Sequence, residues 1–181
     1  MSHHSLIALL HDRPGVLHRT VTLLRRRGFN IVSLSVGRSE VPGISRMSLV
    51  VEAHDATPVV QQLDRLVDVI GVTDATHAPT IQRETALMKI TAPTERLALI
   101  ADDARASGAH TLDLSDSELI IEMTDSPERV DAFIDSMRLH GIGELMRTGR
   151  LVMLRGRTPH VLEAPSNFAA QADGASYEEA A

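Results

Sequence analysis

One pattern of strand and helix signals occurs twice along this sequence, and that repetition restricts the fold more than any other feature. In the first pass Leu6, Ile7, Ala8, Leu9 and Leu10 follow one another without polar interruption, as in a strand covered on both faces. The segment 5–11 ends at Asp12-Arg13-Pro14-Gly15, where Pro suits the first turn of a helix and Asp the cap before it. Val16, Leu17, Val21 and Leu24 then recur at helical spacing until Gly28 stops the run. Ile31, Val32, Leu34 and Val36 form a second strand, Val41-Pro42-Gly43 is a turn, and Met47, Leu49 and Val51 alternate as the hairpin partner. Thr57-Pro58 opens a helix carrying Val59, Val60, Leu63 and Leu66, and Val67, Val69, Ile70 and Val72 supply a fourth strand. The order is βαββαβ.

The stretch 74–83, rich in Thr, His and Pro, reads as a linker, and the order then recurs. Ala86, Leu87, Met88 and Ile90 make a strand, and Thr94-Glu95 opens a helix with Leu97, Leu99 and Ile100 that stops at Gly108. Leu112 and Leu114 precede the turn Ser115-Asp116-Ser117, after which Leu119, Ile120, Ile121 and Met123 return as the paired strand. Ser126-Pro127-Glu128, with Ser as cap and Pro at the first helical position, starts a helix bearing Val130, Phe133, Ile134 and Met137. Leu145 and Met146, then Leu151–Leu154, can close the second sheet. The fold class expected is α+β, tandem βαββαβ ferredoxin-like units, each an antiparallel sheet with helices on one face. The boundaries expected are a first domain over 1–76, a linker over 77–83 and a second domain over 84–157. Residues 158–181, rich in Ala, Pro, Ser, Gly and acidic residues, read as a disordered tail.

A length of 181 residues suits two small domains, and the 43% of hydrophobic residues spread along it implies folded cores. No run approaches the roughly 18 apolar residues of a membrane span, and Met-Ser-His-His lacks the basic and apolar regions of a signal peptide, so a cytoplasmic protein is expected. Cysteine is absent, which removes disulfides, thiolate metal sites and a cysteine nucleophile together. With 24 acidic against 18 basic residues the net charge is −6, and aromatic residues are only 2%; both disfavour binding of nucleic acid. Arg25-Arg26-Arg27 reads as the solvated end of a helix, where the negative pole attracts cations.

Catalytic constellations are missing. There is no Gly-x-Ser-x-Gly elbow and no glycine cluster closed by Gly-Lys-Ser/Thr. Gly141-Ile142-Gly143 lacks a third glycine and precedes a strand. The nine histidines are scattered, with only His3-His4 adjacent, so no metal site is expected. Asp102-Asp103 and Glu178-Glu179 read as solvated charges, and no acid/base pair stands out.

One grouping suits binding. The turn Asp12-Arg13-Pro14-Gly15 puts backbone N–H groups at the positive end of a helix dipole, and Gly15 allows close approach, which favours a carboxylate. Asn30 starts a strand at the sheet edge, where one amide can accept from an ammonium and donate to a carboxylate. Each residue also has a structural reading: Asp12 as a cap, Gly15 for packing, Asn30 for the turn after Gly28.

The stretch Asp12-Arg13-Pro14-Gly15-Val16-Leu17 resembles the turn of ACT domains, βαββαβ modules that sense amino acids. More specific are Arg26-Arg27-Gly28-Phe29-Asn30-Ile31-Val32-Ser33-Leu34 and Pro42-Gly43-Ile44-Ser45-Arg46-Met47, which resemble the small subunits of acetolactate synthase. So do Leu66-Val67-Asp68-Val69-Ile70, Asp131-Ala132-Phe133-Ile134 and Arg147-Thr148-Gly149, and the likeness covers roughly residues 5–156, more weakly in the second half. The resemblance implies a non-catalytic regulatory subunit whose first unit is an ACT domain. That domain would pair with its copy in another chain and bind valine at the interface. A separate large catalytic subunit would use thiamine diphosphate, magnesium and FAD, with no cofactor on this chain. Positions matching the family's effector site are Asp12, Gly15, Asn30 and Ile31, with Leu10 and Val36 as neighbours. Many members carry Asn where this chain has Asp12; an anion there favours the ligand's ammonium and crowds its carboxylate. An ACT-type regulator of another enzyme, a free-standing amino-acid-binding module and a small enzyme are the competing readings.

Overall fold

The computed structural model describes residues 1–156, so the expected tail over 158–181 lies outside the described residues. The described residues form two compact units, one of Met1–Ile81 with residues 152–156, the other of Gln82–Leu151.

The first unit contains β1 (Ser2–His11), α1 (Val16–Arg26), β2 (Asn30–Arg38), β3 (Ile44–Ala53), α2 (Thr57–Asp64) and β4 (Val69–Asp74). The strands form an antiparallel sheet in the order β2-β3-β1-β4, which makes β1 interior and β2 an edge. The unbroken apolar run of β1 is explained by burial on both faces. Leu6, Ala8 and Leu10 join Val16, Leu24, Met47, Leu49, Val59 and Leu63 in the core under the helices. Ile7 and Leu9 pack with Ile44, Ala75 and Val152 on the opposite face. Each Leu, Ile, Val or Met side chain among them contributes about 1.5–3 kcal/mol on burial, and the alanines less.

Local chemistry sets the helix ends. Gly28, at φ 76°, turns the chain after α1 with its N–H on the Arg25 carbonyl, and Arg25 and Arg26 lie exposed in the last turn, as their charge predicts. Before α2, the Asp55 carboxylate accepts from the N–H and the hydroxyl of Thr57, both at 3.0 Å. The Thr57 backbone N–H, followed by its hydroxyl, holds the Asp55 carboxyl below its ordinary range.

The second unit repeats the plan with β5 (Thr80–Thr91), α3 (Thr94–Ala106), β6 (His110–Leu114), β7 (Glu118–Asp125), α4 (Pro127–Met137), a 3-10 turn (Arg138–His140) and β8 (Ile142–Arg147). Its strand order, β6-β7-β5-β8, is the same permutation. Ser126 caps α4 by accepting from the Arg129 N–H at 3.4 Å, with Pro127 at the first helical position. The nearly buried Glu84 accepts from Arg147 and from Arg150, the latter at 3.1 Å, and Arg147 also reaches Asp131 at 2.6 Å.

Three boundaries differ from the sequence reading. Val67, expected in a strand, sits in the turn before β4 and is 94% exposed, because α2 ends at Asp64 and β4 starts only at Val69. Residues 80–83, expected in the linker, are extended as the start of β5; their polar composition hid a strand held by backbone pairing rather than by apolar alternation. Leu151–Leu154 forms β9, which pairs with β5 as expected, while Val152 belongs to the first unit rather than to the second domain expected over 84–157: it is buried with Ile7, Leu9 and Ile44 and donates its N–H to Ser48 at 3.3 Å. Among the described residues no helix is long and apolar enough to cross a membrane.

Candidate effector site

The turn from β1 to α1 is anchored on both sides before any side chain is considered. The His11 N–H donates to the Asp68 carbonyl at 2.9 Å, and the Asp12 N–H donates to the Gly43 carbonyl at 2.8 Å. Gly15 is the residue before α1 and adopts φ 84°, a left-handed conformation that favours glycine. This corrects the expected cap: Asp12 is three residues too early, Pro14 precedes the helix, and no side chain caps α1. The Val16 N–H donates to the Arg13 carbonyl at 3.3 Å, so in the first turn the N–H groups of Leu17 and His18 carry the partial positive charge of the helix start. The Asp12 carboxylate instead lies 3.5 Å from Arg38 Nε, and both groups are exposed.

Arg19 closes the other side of the turn. A Cβ built on Gly15 would stand 2.9 Å from Arg19 Nη1, so the guanidinium fills the space that a side chain there would take. Its remaining nitrogens are committed to Asp68, with Nε at 2.8 Å and Nη2 at 2.7 Å from Oδ2. The Arg19–Asp68 pair thus lies against Gly15, and the Asp12–Arg38 pair sits at the start of the same turn.

The other expected residues lie on or beneath the sheet. Leu10 is buried under the turn, opposite Ser45, which in turn faces Arg38 on β2. Val36 is 36% exposed near that same end, opposite Met47. Ile31, half-buried against the core, pairs with Val51, and Asn30 pairs with Glu52, to whose Oε2 its Nδ2 donates at 3.1 Å. Asn30 and Arg38 are the two ends of β2, eight residues apart, or roughly 26 Å in an extended strand. One chain therefore gathers Leu10, Asp12 and Gly15 with Val36 nearby, and leaves Asn30 and Ile31 at the far end.

Arg19, Arg38 and Asp68 did not emerge from the sequence. Arg19 had a signal, since helical side chains lean toward the N-terminus and reach the residue four positions back. The contact of Asp68 with Arg19, 49 positions apart, had none. Among the described residues no group of three His, Cys, Asp or Glu could hold a metal ion.

Comparison with known proteins agrees with this architecture. Residues 6–71 match the AHAS small subunit-like ACT domain, and residues 83–156 match the small subunit of acetolactate synthase. A probable acetolactate synthase small subunit of Archaeoglobus fulgidus is 42% identical over 155 residues, covering 84% of this chain and 97% of that protein. An acetolactate synthase small subunit of Mycolicibacterium smegmatis is 36% identical over 155 residues, covering 84% and 91%. The crystal structure of the small subunit from Thermotoga maritima superposes with a TM-score of 0.79 at 32% identity, covering 87% of this chain and all of that one. The chain belongs to the acetolactate synthase small-subunit family, with an ACT domain in its first half.

Proposed function

We propose that this chain activates the catalytic large subunit of an acetolactate synthase and makes it subject to feedback inhibition by valine, bound where two ACT domains meet. The observation that carries this reading is the separation of Asn30 from the Asp12-Gly15 turn along an edge strand. An edge strand presents unpaired backbone groups, and a two-fold axis beside it pairs β2 with its copy antiparallel. Antiparallel pairing centred near Leu34 brings Asn30 of one copy to the Arg38 end of the other, beside that copy's Asp12 and Gly15. Residues that are far apart in one chain then form two equivalent sites in a dimer.

Regulation follows by linkage. Valine can bias the catalytic subunit only by the difference in its affinity for two arrangements of the regulatory dimer, typically about 1–3 kcal/mol in allosteric proteins. The bond-making chemistry, with thiamine diphosphate, magnesium and FAD, belongs to the large subunit in this reading. Reconstitution tests it. The purified chain forms no acetolactate from pyruvate by itself, raises the turnover of its large subunit, and renders that turnover valine-sensitive. Synthesis by this chain alone, or a large subunit indifferent to it, would contradict the reading.

A further inference from the structure

We propose that the Gly15 turn binds its amino acid in one polarity, with the ammonium on Asp12 and the carboxylate on Arg19, which Asp68 holds in place for that purpose. The proposal rests on the effector-site reading above and assigns it two residues, Arg19 and Asp68, and an orientation.

The turn carries an anion at its start, Asp12, and a cation over Gly15, Arg19. At the start of the turn stands the Asp12 carboxylate, whose only ion-pair partner among the described residues, Arg38, is at 3.5 Å and itself 82% exposed. Such a pair is weak and leaves the carboxylate open to a second cation. Over Gly15 stands the Arg19 guanidinium, with Nε and Nη2 committed to one oxygen of Asp68 and Nη1 directed to the space over Gly15. A guanidinium fixed by two of its nitrogens has lost its rotational freedom before a ligand arrives, and its third nitrogen can donate to a carboxylate at little further entropic cost. The N–H groups of Leu17 and His18 in the first turn of α1, which has no side-chain cap, add positive potential. An α-amino acid fits this field only one way round. Asp12, unfavourable beside a carboxylate, becomes favourable beside an ammonium.

The test compares L-valine with L-valinamide, which keeps the ammonium and side chain but has no carboxylate charge, by calorimetric titration of the full-length chain. The wild-type protein prefers valine. Arg19→Gln loses about tenfold in valine affinity with little change for valinamide, so the preference collapses; Arg19→Lys, which keeps the charge without the fork, falls between. Asp68→Asn, which releases the guanidinium without removing it, narrows the same preference by a smaller factor and covers the case of an unfolded Arg19 variant. Equal losses for the two ligands in the Arg19 and Asp68 variants would make the pair purely structural and overturn the proposal. If Asn30→Ala weakens valine while Arg19→Gln leaves the preference intact, the site stands and the polarity assignment falls. If the wild-type chain binds no valine, both fall.

Discussion

The Nδ2 of Asn30 donates to the Glu52 carboxylate at 3.1 Å, which leaves the amide oxygen as the group free to accept. An acceptor oxygen is what a ligand ammonium requires, so the Glu52 contact presents Asn30 in the useful orientation. Hydrogen bonds to charged groups are worth roughly 1.5–3 kcal/mol, and Asn30→Ala should weaken valine binding about 10- to 150-fold. The check is a valine titration of the reconstituted enzyme at saturating small subunit. An unchanged midpoint with a folded variant would reduce Asn30 to a turn residue.

Gly15→Asp should be at least as damaging. The substitution places a side chain at φ 84°, in a region that L residues rarely adopt, and its Cβ meets Arg19 Nη1 at 2.9 Å. Its carboxylate would also occupy the place proposed for the ligand's own and pair with Arg19 internally. Valine inhibition should be lost across the accessible concentration range, while Gly15→Ala, without the charge, should retain more of it. Equal retention by both variants would show that charge at this position is immaterial.

Val152 is expected to stabilise the first unit although it lies 104 positions beyond Ser48, its N–H acceptor. It is 3% exposed, against Ile7, Leu9 and Ile44. Val152→Ala should cost about 1–2 kcal/mol, whereas Val67→Ala, at a side chain 94% exposed, should cost less than about 0.5 kcal/mol. Urea titration of the two variants measures the difference. Equal, small effects would place Val152 outside the core.

Both passes of the βαββαβ order were legible because each element carries its own signal: the apolar run Leu6 to Leu10, the Ser126-Pro127 start, the Gly28 and Gly108 stops. Long-range and backbone effects were not. The start of β5 has no apolar alternation over 80–83, Val67 is apolar yet exposed, and Val152 is buried by residues distant in sequence. At the site, a motif marked Asp12, Gly15 and Asn30, but that the Asp12–Gly15 turn lies toward the Arg38 end of β2, away from Asn30, depends on strand register, which no local pattern states. Arg38 and Asp68 were invisible for the same reason, since each acts through a partner brought close only by folding.

The shared site makes the most direct test a mixture of two defective chains. Each proposed site takes Gly15 from one copy and Asn30 from the other. In a mixed dimer of an Asn30→Ala chain with a Gly15→Asp chain, one site carries both defects and the other carries neither. Calorimetric titration with valine, after the two purified variants are allowed to exchange subunits, should therefore reveal tight binding that neither variant shows alone, with one intact site per mixed dimer. A site contained within a single chain would leave every site in the mixture defective. Confirmed mixed dimers with no recovery of valine binding would contradict the account.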